Sequence, residues 1–328
     1  MSAEKSEKSQ AFMMKMVQTL NDGALCLMIS IGYRTGLFEA LAEFSPEFVT
    51  SQAIAAKAKL NERYVREWLG AVVIGGIVEY DSQAKTYSLP KEHAPFLTRA
   101  FGAENVSIYA QYIPILGSVE DSIIECFKNG GGLKESAFTR FHDLMIDETH
   151  LAVGSVLHSV ILPGLPIFHE KLKNGCKLVD VGCGRGNVII ELAKTFPNCT
   201  FVGYDINNSL IDAAKADVAS SGLTNISFHV QDIAQLQEVG EYDVVLTIHT
   251  VHELADPAGV LKRIHGALKP GGVFVMQDYH TLYGGPGLGM SWRTENAVKL
   301  LKETGFSKVE DIIELPHDPS RVWYISWK

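Results

Sequence analysis

Apolar residues recur every three or four positions along the first part of the chain, the spacing of amphipathic helices. This spacing predicts a helix over residues 11 to 43. Two shorter helices are predicted next, with Thr50 and Asn61 as their N-caps and Gly75 at the end of the second. The segments IVEY and TYSL, joined by the turn residues DSQAK, predict a β-hairpin. Two helices followed by a hairpin predict a winged helix.

From residue 176 onward, short apolar strands alternate with helical segments. The predicted strands are CKLVDV, TFVGYD, ISFHVQD, YDVVLTI and GVFVMQD, with helices at 187 to 195, 208 to 220 and 257 to 268. This alternation predicts a parallel sheet covered by helices on both faces. The segments FSKVEDIIEL and RVWYISW have no helix between them, which permits an antiparallel pair at the sheet edge.

The chain of 328 residues is long enough for two domains. We predict a winged-helix domain over 1 to 100, a mostly helical linker over 101 to 170, and a second domain over 171 to 328. The linker is interrupted by the loop NGGGLKES. The formal net charge of -9 gives no general attraction to phosphate, which argues against a nucleic-acid or anionic-membrane partner.

The predicted winged helix carries nearly equal numbers of basic and acidic residues, whereas a DNA-binding domain normally has a basic face. The helix over 11 to 43 is apolar on more than one face, and Trp68, Val72 and Val73 add apolar positions to the winged helix. Large apolar patches are rarely left open, and a twofold dimer is the commonest way to cover one. Packing against the second domain could cover the same surface. We predict a homodimer that does not bind DNA.

The five cysteines show no CxxC or zinc-binding spacing, which predicts reduced thiols in a cytoplasmic protein without a metal. The first ten residues, MSAEKSEKSQ, lack the apolar region of a secretion signal. The longest apolar stretch near the start, LCLMISI, is far shorter than the ~20 residues of a membrane span. We therefore expect a soluble protein with no membrane partner.

Three glycines at alternate positions, Gly182, Gly184 and Gly186, follow the first strand of the predicted parallel sheet. Glycine allows a sharp turn and lets a ligand approach the main chain closely. Ligands of open parallel sheets bind beyond the carboxyl ends of the strands. Asp205 ends the next strand, about 20 residues further on, where a carboxylate can accept both hydroxyls of a ribose. A ligand containing a ribose is therefore predicted.

Two classes of cofactor use this arrangement. The dinucleotide fingerprint GxGxxG requires a third glycine at the position of Asn187, and the pattern here is GxGxG instead. Asp180, just before the loop, would lie poorly beside a pyrophosphate but suits a ligand that carries an ammonium group. An NAD-dependent oxidoreductase and a ligand-sensing winged-helix transcriptional regulator remain the alternatives.

Further signals lie at the ends of the later strands. The third strand ends in QDI, where Asp232 can accept a hydrogen bond from an exocyclic amine and Ile233 can pack on a purine. The fourth strand ends in Thr247 and Ile248, and LKPGG leads into the fifth. The set VDVGCGRG, GYD, QDI and LKPGG has the order and intervals of the class I S-adenosylmethionine-dependent methyltransferases, which residues 175 to 278 resemble.

Other segments resemble a subgroup of that family in which a winged-helix domain precedes the methyltransferase domain. These are LNERYVREWLGAVVIGGIVEY with TYSLP, FHDLM, VHELADP and GGPGLGMSW. The resemblance implies a Rossmann-like, seven-stranded methyltransferase sheet preceded by a helical winged-helix domain. It also implies S-adenosylmethionine as cofactor and methyl transfer to a small-molecule acceptor.

By this resemblance, the glycine loop receives the methionine end of the cofactor, with Asp180 near its amino group. Asp205 takes the ribose, and Ile206 lies with Asp232 and Ile233 at the adenine. The predicted cofactor-binding residues are Asp180, Gly182, Cys183, Gly184, Gly186, Asp205, Ile206, Asp232, Ile233, Thr247 and Ile248.

The sulfonium methyl is already electrophilic, so the protein mainly has to hold the acceptor close to it. A base helps if the acceptor is a hydroxyl or an amine. His249 and His252 are the candidate bases, although His252 could instead cap a helix or bond a backbone carbonyl. Tyr279 and His280 are expected to line the acceptor pocket. Only YHTLY separates MQD from GGPGLG, a shorter segment than the subgroup usually carries there.

Overall fold

The computed structural model describes residues 3–133, 137–279, 293–315 and 318–328. The chain divides into two compact units, Met1–Leu151 and Ala152–Lys328. The division falls inside the segment predicted as a helical linker. Each unit has hydrophobic clusters of its own.

The first unit is helical apart from one small hairpin. Its elements are α1 (Ala3–Thr35), α2 (Leu37–Phe44), α3 (Ser51–Ala58), α4 (Glu62–Ile74), β1 (Glu79–Asp81), β2 (Thr86–Ser88), α5 (Ala94–Leu97), α6 (Tyr112–Gly117), α7 (Glu120–Asn129) and α8 (Phe141–Ala152), with 3₁₀ turns at Arg99–Glu104 and Ser107–Gln111. The single helix predicted over 11 to 43 is in fact two helices. Gly36 separates them because its φ of 72° is left-handed and cannot continue an α-helix.

The winged helix is confirmed, and its start signals act as predicted. The side chain of Thr50 accepts a hydrogen bond from the backbone N–H of Ala53 at 3.3 Å, and that of Asn61 accepts one from Arg63 at 3.0 Å. β1 and β2 pair antiparallel as the hairpin. Two capped helices and the hairpin thus form where the local sequence indicates them.

The prediction that Trp68 and Val72 offer open apolar surface is wrong. Both side chains are buried in the hydrophobic core of the first unit, and Val73 packs against it. The indole Nε1–H of Trp68 donates to the carbonyl of Met28 at 2.8 Å, and its ring meets Phe38 edge-on at 5.3 Å between centroids. These side chains hold α4 onto α1 and α2, so the apolar face of α4 is used inside the unit.

The second unit contains a seven-stranded sheet, as predicted. Its elements are α9 (Leu162–Gly164), α10 (Pro166–Asn174), β3 (Lys177–Val181), α11 (Asn187–Thr195), β4 (Thr200–Asp205), α12 (Asn208–Ser221), β5 (Ile226–Val230), β6 (Tyr242–Ile248), α13 (Pro257–Ala267), β7 (Leu268–Tyr279), α14 (Thr294–Glu303), β8 (Lys308–Leu315) and β9 (Asp318–Trp327), with short turns at Gly154–Val156, Leu157–Ile161, Ile233–Gln235 and Val251–Glu253. The strand order is β5-β4-β3-β6-β7-β9-β8.

Strands β3 to β7 pair in parallel, whereas β9 is antiparallel to both β7 and β8. The predicted antiparallel pair at the edge is confirmed. Because β3 has β4 on one side and β6 on the other, the strand order reverses at β3. In open sheets of this kind, the carboxyl edge at the reversal is the place where ligands bind.

Each face of the sheet carries its own hydrophobic cluster. On one face, Val273 and Val275 of β7 join residues of α10 and α11. On the other face, Phe274 and Met276 join residues of α13 and α14. Successive side chains along β7 point to opposite faces of the sheet. Both faces are buried, as the continuous apolar sequences of the central strands predict.

Within the described residues, no single helix is both long enough and apolar enough to cross a membrane. Two pairs of consecutive helices with a sharp bend between them have the length and composition of a membrane span only when the two helices are counted together. One of these pairs is α1 with α2.

Candidate cofactor and active site

The loop between β3 and α11 turns on three left-handed glycines. Their φ angles are 80° at Gly182, 56° at Gly184 and 74° at Gly186. A Cβ at Gly182 would lie 2.5 Å from the side chain of Thr250, and a Cβ at Gly186 would lie 2.3 Å from the ring of Phe228. A Cβ at Gly184 would meet nothing within 4 Å. Two glycines are thus required by packing, and the third leaves the main chain open to a ligand.

Asp180 lies on β3, directly before this loop. Its side chain is buried, and Oδ1 has no hydrogen-bond partner among the described residues. Burial, and next the negative charge of Asp205, raise the pKa of the carboxyl group to about 8. An unpartnered buried oxygen is unfavourable unless a ligand satisfies it. A cationic ammonium group beside the loop would do so, and the site therefore fits the amino end of the predicted cofactor.

Asp205 ends β4 and joins the glycine loop to that strand. Its Oδ2 accepts a hydrogen bond from the backbone N–H of Gly184, and its Oδ1 accepts one from Asn207, both at 2.8 Å. Each carboxylate oxygen can accept more than one hydrogen bond. Asp205 can therefore hold the loop in place and still accept the hydroxyls of a ribose.

The residues predicted near an adenine lie beyond β4 and β5. Ile206 is largely exposed, at 69%, and Ile233 is half-buried. Asp232 caps the turn after β5: its Oδ1 accepts from the N–H of Ala234 at 2.9 Å and its Oδ2 from the amide of Gln235 at 3.1 Å. An exposed apolar side chain and an oriented carboxylate are compatible with a purine, although the carboxylate also has a structural role that the sequence analysis did not assign.

Three further predicted residues lie deeper in the unit. Thr247 and Ile248 are buried at the end of β6, and the hydroxyl of Thr247 has no hydrogen-bond partner. Cys183, in the glycine loop, is half-buried with Sγ 3.6 Å from the carbonyl oxygen of Gly184, and burial raises the pKa of its thiol. The thiol is therefore not a nucleophile at neutral pH.

His252 lies in the turn after β6 and pairs with a carboxylate. Its Nδ1 is 2.6 Å from Oδ1 of Asp278, the end of β7, and its backbone N–H donates to Oδ2 of the same residue. The Nε2 atom lies 3.7 Å from Glu253. Burial by itself lowers the pKa of His252, but the hydrogen bond and charge of Asp278 outweigh burial and raise it. The pairing orients the ring so that Nε2 is the atom left to exchange a proton.

His249 has a different environment. Its φ of 53° is left-handed, a conformation uncommon for residues with a side chain, and its backbone N–H donates to the carbonyl of Gln277 at 3.0 Å. Burial, followed by the charge of Arg321 and then of His252, lowers the pKa of His249 well below 6.5. His249 is therefore a neutral imidazole at physiological pH.

Sequence reasoning missed two contacts of this site. It did not assign Asp278 to His252, although the predicted strand GVFVMQD ends on that acid at the ligand-binding edge. It also missed the ion pair of Arg185, in the glycine loop, with Asp217 of α12: Nε lies 2.7 Å from one carboxylate oxygen and a terminal nitrogen 3.0 Å from the other. No local pattern indicates a pairing over this separation.

Neither residue predicted to line the acceptor pocket is fully described: His280 and the side chain of Tyr279 lie outside the described part of the chain. The rest of the segment YHTLY and the motif GGPGLGMSW, up to residue 292, lie outside it as well. Among the described residues, no three His, Cys, Asp or Glu side chains form a group that could hold a metal ion.

The chain matches two described sequence families. Residues 172–315 match the family described as "Methyltransferase domain". Most of the second unit therefore matches a methyltransferase domain. Residues 23–99 match the family described as "Rv2258c-like winged HTH domain", which agrees with the winged helix of the first unit. Neither alternative weighed in the sequence analysis, the oxidoreductase or the regulator, gains support from these matches.

Curated relatives of the methyltransferase domain are similar over part of their length. The chain is 27% identical over 115 residues to the malonyl-[acyl-carrier protein] O-methyltransferase 2 of Ilyobacter polytropus, covering 35% of this chain and 44% of that protein. It is 35% identical over 100 residues to the ubiquinone biosynthesis O-methyltransferase of Ruegeria pomeroyi, covering 30% of this chain and 39% of that protein. The chain thus spans less than half the length of each of these relatives.

Solved structures are similar over nearly the whole chain. A putative O-methyltransferase from Nostoc punctiforme superposes with a TM-score of 0.70 at 19% identity, covering 97% of this chain and 98% of that one. Human N-acetylserotonin methyltransferase, solved in complex with SAM, gives 0.67 at 18% identity over 97% and 98%. At these identities the likeness establishes the fold of the chain.

Proposed function

We propose that the chain transfers a methyl group from S-adenosylmethionine to a hydroxyl group of a small-molecule acceptor. The observation that carries the proposal is the unpartnered, buried Oδ1 of Asp180 beside the open main chain at Gly184. The titles of the similar structures and relatives name O-methyltransferases, which supports oxygen as the methylated atom.

S-Adenosylmethionine supplies an electrophilic methyl group when bound. In our proposal Asp180 would bind its amino group, the glycine loop its methionine portion, and Asp205 its ribose. Ile206 and Ile233 would contact the adenine, and Asp232 would accept a hydrogen bond from the exocyclic amine. Cys183, Thr247 and Ile248 complete the predicted set as neighbours of the loop and of the end of β6. In this assignment the main chain at Gly184 and Oδ1 of Asp180 contribute groups that the fold leaves open or unsatisfied, and Asp205 and Asp232 use the remaining capacity of carboxylates that already accept hydrogen bonds.

His252 is placed as the base that removes the acceptor proton. Asp278 holds Nδ1, so Nε2 can accept the proton, and the carboxylate stabilises the imidazolium that results. His249 is the weaker candidate, because burial and the charge of Arg321 disfavour its protonated form. Asp278 is thus a positioning residue that acts through His252.

Calorimetry with S-adenosylhomocysteine and with NAD tests the cofactor assignment. We expect the sulfur compound to bind and NAD not to bind. Asp205→Ala should weaken binding by roughly 1.5–3 kcal/mol for each hydrogen bond lost, partly compensated by water. Asp212→Ala, on the exposed face of α12, is the matched control and should bind as the unaltered protein does. Binding of NAD alone would overturn the proposal.

The acceptor can be found by incubating the protein with isotopically labelled cofactor and small-molecule extracts. The label should appear in a low-molecular-weight product that depends on the protein. The same label should be absent from DNA, since the charge of the chain does not favour nucleic acid.

We further infer that the first unit joins two copies of the chain. The support is the exposed apolar surface of α1, where Phe12 is 64% and Leu20 is 70% exposed. Surfaces of this kind are commonly covered by a twofold partner. Sedimentation at micromolar concentration should give a dimer, and the double variant Phe12→Glu, Leu20→Glu should give a monomer. A monomeric unaltered protein would contradict the inference.

We also propose that the protein is cytoplasmic. The support is the cysteine pattern, since five cysteines are an odd number and show no CxxC or zinc-binding spacing, as expected of reduced thiols. Cys176 and Cys199, whose sulfurs lie 3.6 Å apart, are the pair that an oxidising compartment would join. Secretion into an oxidising compartment with a Cys176–Cys199 disulfide, detected by mass spectrometry, would contradict this location.

A further inference from the structure

Two polar side chains lie unsatisfied next to each other inside the methyltransferase domain. Gln277 of β7 is fully buried, and within the described ranges neither its amide oxygen nor its amide nitrogen has a hydrogen-bond partner. Trp323 of β9 is 1% exposed, and its indole Nε1 has no partner either. The two residues are directly opposite each other in the antiparallel pair. Opposite residues share a face of the sheet, so their side chains are neighbours.

This pair lies on the same face of the sheet as Asp180. Trp323 belongs to the cluster formed with α10 and α11, and Gln277 has the same parity along β7 as Val275 of that cluster. Asp180 has the parity of Leu178, which belongs to the same cluster. Only β6 separates β3 from β7, so the two strands are about 10 Å apart. A small molecule at this carboxyl edge can reach from one group to the other.

Unsatisfied buried polar groups destabilise a folded chain, and an apolar side chain of similar shape at position 277 would avoid that penalty. Ile248 of β6 and Val275 of β7, the apolar neighbours of Gln277 on this face, are both buried. Polar groups retained at a loss of stability are typical of binding sites.

We infer that Gln277 and Trp323 form the polar end of the acceptor site and recognise a neutral acceptor with a hydroxyl group next to a carbonyl oxygen. The inference rests on the proposed methyltransferase function. A carboxamide presents one acceptor and one donor side by side, so it pairs with a hydroxyl and a neighbouring carbonyl. The indole N–H donates to the second lone pair of that carbonyl. Both residues are uncharged, and the buried guanidinium of Arg321, two residues before Trp323 on β9, already has a partner, so a neutral ligand is favoured over a carboxylate.

Ligand-observed NMR on the protein loaded with S-adenosylhomocysteine tests this inference. The probes are salicylamide, which has both groups, phenol, which lacks the carbonyl, and benzamide, which lacks the hydroxyl. We expect salicylamide to bind about tenfold more tightly than either of the others, because a buried site rejects ligands that leave its polar groups unpaired. Equal binding of the three probes, or binding of none, would overturn the inference while binding of S-adenosylhomocysteine upholds the proposed function. Failure of S-adenosylhomocysteine to bind would overturn both.

Substitutions of Gln277 and Trp323 distinguish recognition of the acceptor from a purely structural role of these residues. Gln277→Met and Trp323→Phe should each remove the preference for salicylamide and leave the affinity for S-adenosylhomocysteine within twofold. Gln237→Met, in an exposed loop, and Trp327→Phe, on the same strand as Trp323, are the matched controls and should keep the preference.

The melting temperature provides the decisive second readout. Gln277→Met should raise the Tm of the free protein by about 2 °C or more, since it removes unsatisfied groups from an apolar environment. If Gln277 only bonded a buried water within the core, Gln277→Met would lower the Tm instead. A lowered Tm with unchanged probe binding would overturn the inference.

Discussion

Cofactor binding should release a proton from Asp180. Burial and the charge of Asp205 raise the pKa of this carboxyl group from 3.8 to about 8, so it is mostly protonated at pH 7 in the free protein. A bound ammonium group favours the ionised carboxylate and lowers the pKa. Binding at pH 7 should therefore release close to one proton per molecule of ligand bound.

Calorimetry with S-adenosylhomocysteine measures this release directly. At pH 7 the observed enthalpy should differ between buffers of low and high ionisation enthalpy by an amount that corresponds to about one proton. The affinity should increase about tenfold per pH unit between pH 6 and pH 8 and level off above the pKa of Asp180. Asp180→Asn should abolish both effects, while Asp212→Asn should preserve them.

The same group makes a prediction about stability without ligand. A carboxyl group with a raised pKa holds its proton more tightly in the folded chain than in the unfolded chain. The free protein should therefore lose stability as the pH rises from about 4 to about 8, and Asp180→Asn should reduce this loss. Equal binding enthalpies in the two buffers, together with an affinity independent of pH, would refute the assignment of Asp180 as the partner of the ammonium group.

Three other substitutions test the geometry of the site. Gly186→Ala should abolish binding of S-adenosylhomocysteine or unfold the domain, because a Cβ there would clash with the ring of Phe228, whereas Gly184→Ala meets no protein atom and should weaken binding through its left-handed backbone and the added methyl group while the domain stays folded. Calorimetry and thermal denaturation compare the two, and equal effects would contradict the packing argument. Arg185→Ala, which breaks an ion pair with α12, should weaken binding roughly two- to fivefold, and an unchanged affinity would exclude it as a positioning residue. Asp278→Asn should lower the pKa of His252 and so move the acid limb of the pH profile of kcat/KM to lower pH. An unshifted limb would mean that His252 is not the base.

Local signals in the sequence predicted most of the secondary structure. The caps Thr50 and Asn61 and the glycine after α4 act through residues one to four positions away, so the sequence contains all the partners they need. The alternation of strands and helices from residue 176 likewise predicted the parallel sheet, because continuous apolar strands are stable only when both faces are covered. The long helix over 11 to 43 was the exception. There the apolar spacing continues past Gly36, and only the backbone conformation of that glycine divides it.

The apolar spacing along α4 led to a wrong prediction about its surface. Trp68 and Val72 have the spacing of an exposed apolar stripe, which suggested a contact with another protein. The fold instead buries them against α1 and α2, and the indole N–H finds its partner at Met28, forty residues earlier. Spacing indicates that a face is apolar but not which surface covers it.

The sequence by itself determined the order of the elements and the positions of the glycines and acids at the carboxyl edge. These follow from backbone preferences and from hydrophobic periodicity, which act over a few residues. The tertiary structure alone decided which groups meet: Asp278 with His252, Arg185 with Asp217, and Asp205 with the backbone of Gly184. It also decided that Oδ1 of Asp180 and the amide of Gln277 have no partner in the described part of the chain, which no spacing indicates. The physical reason is that hydrogen bonds and burial depend on distances across strands, and those distances are set only when the sheet assembles.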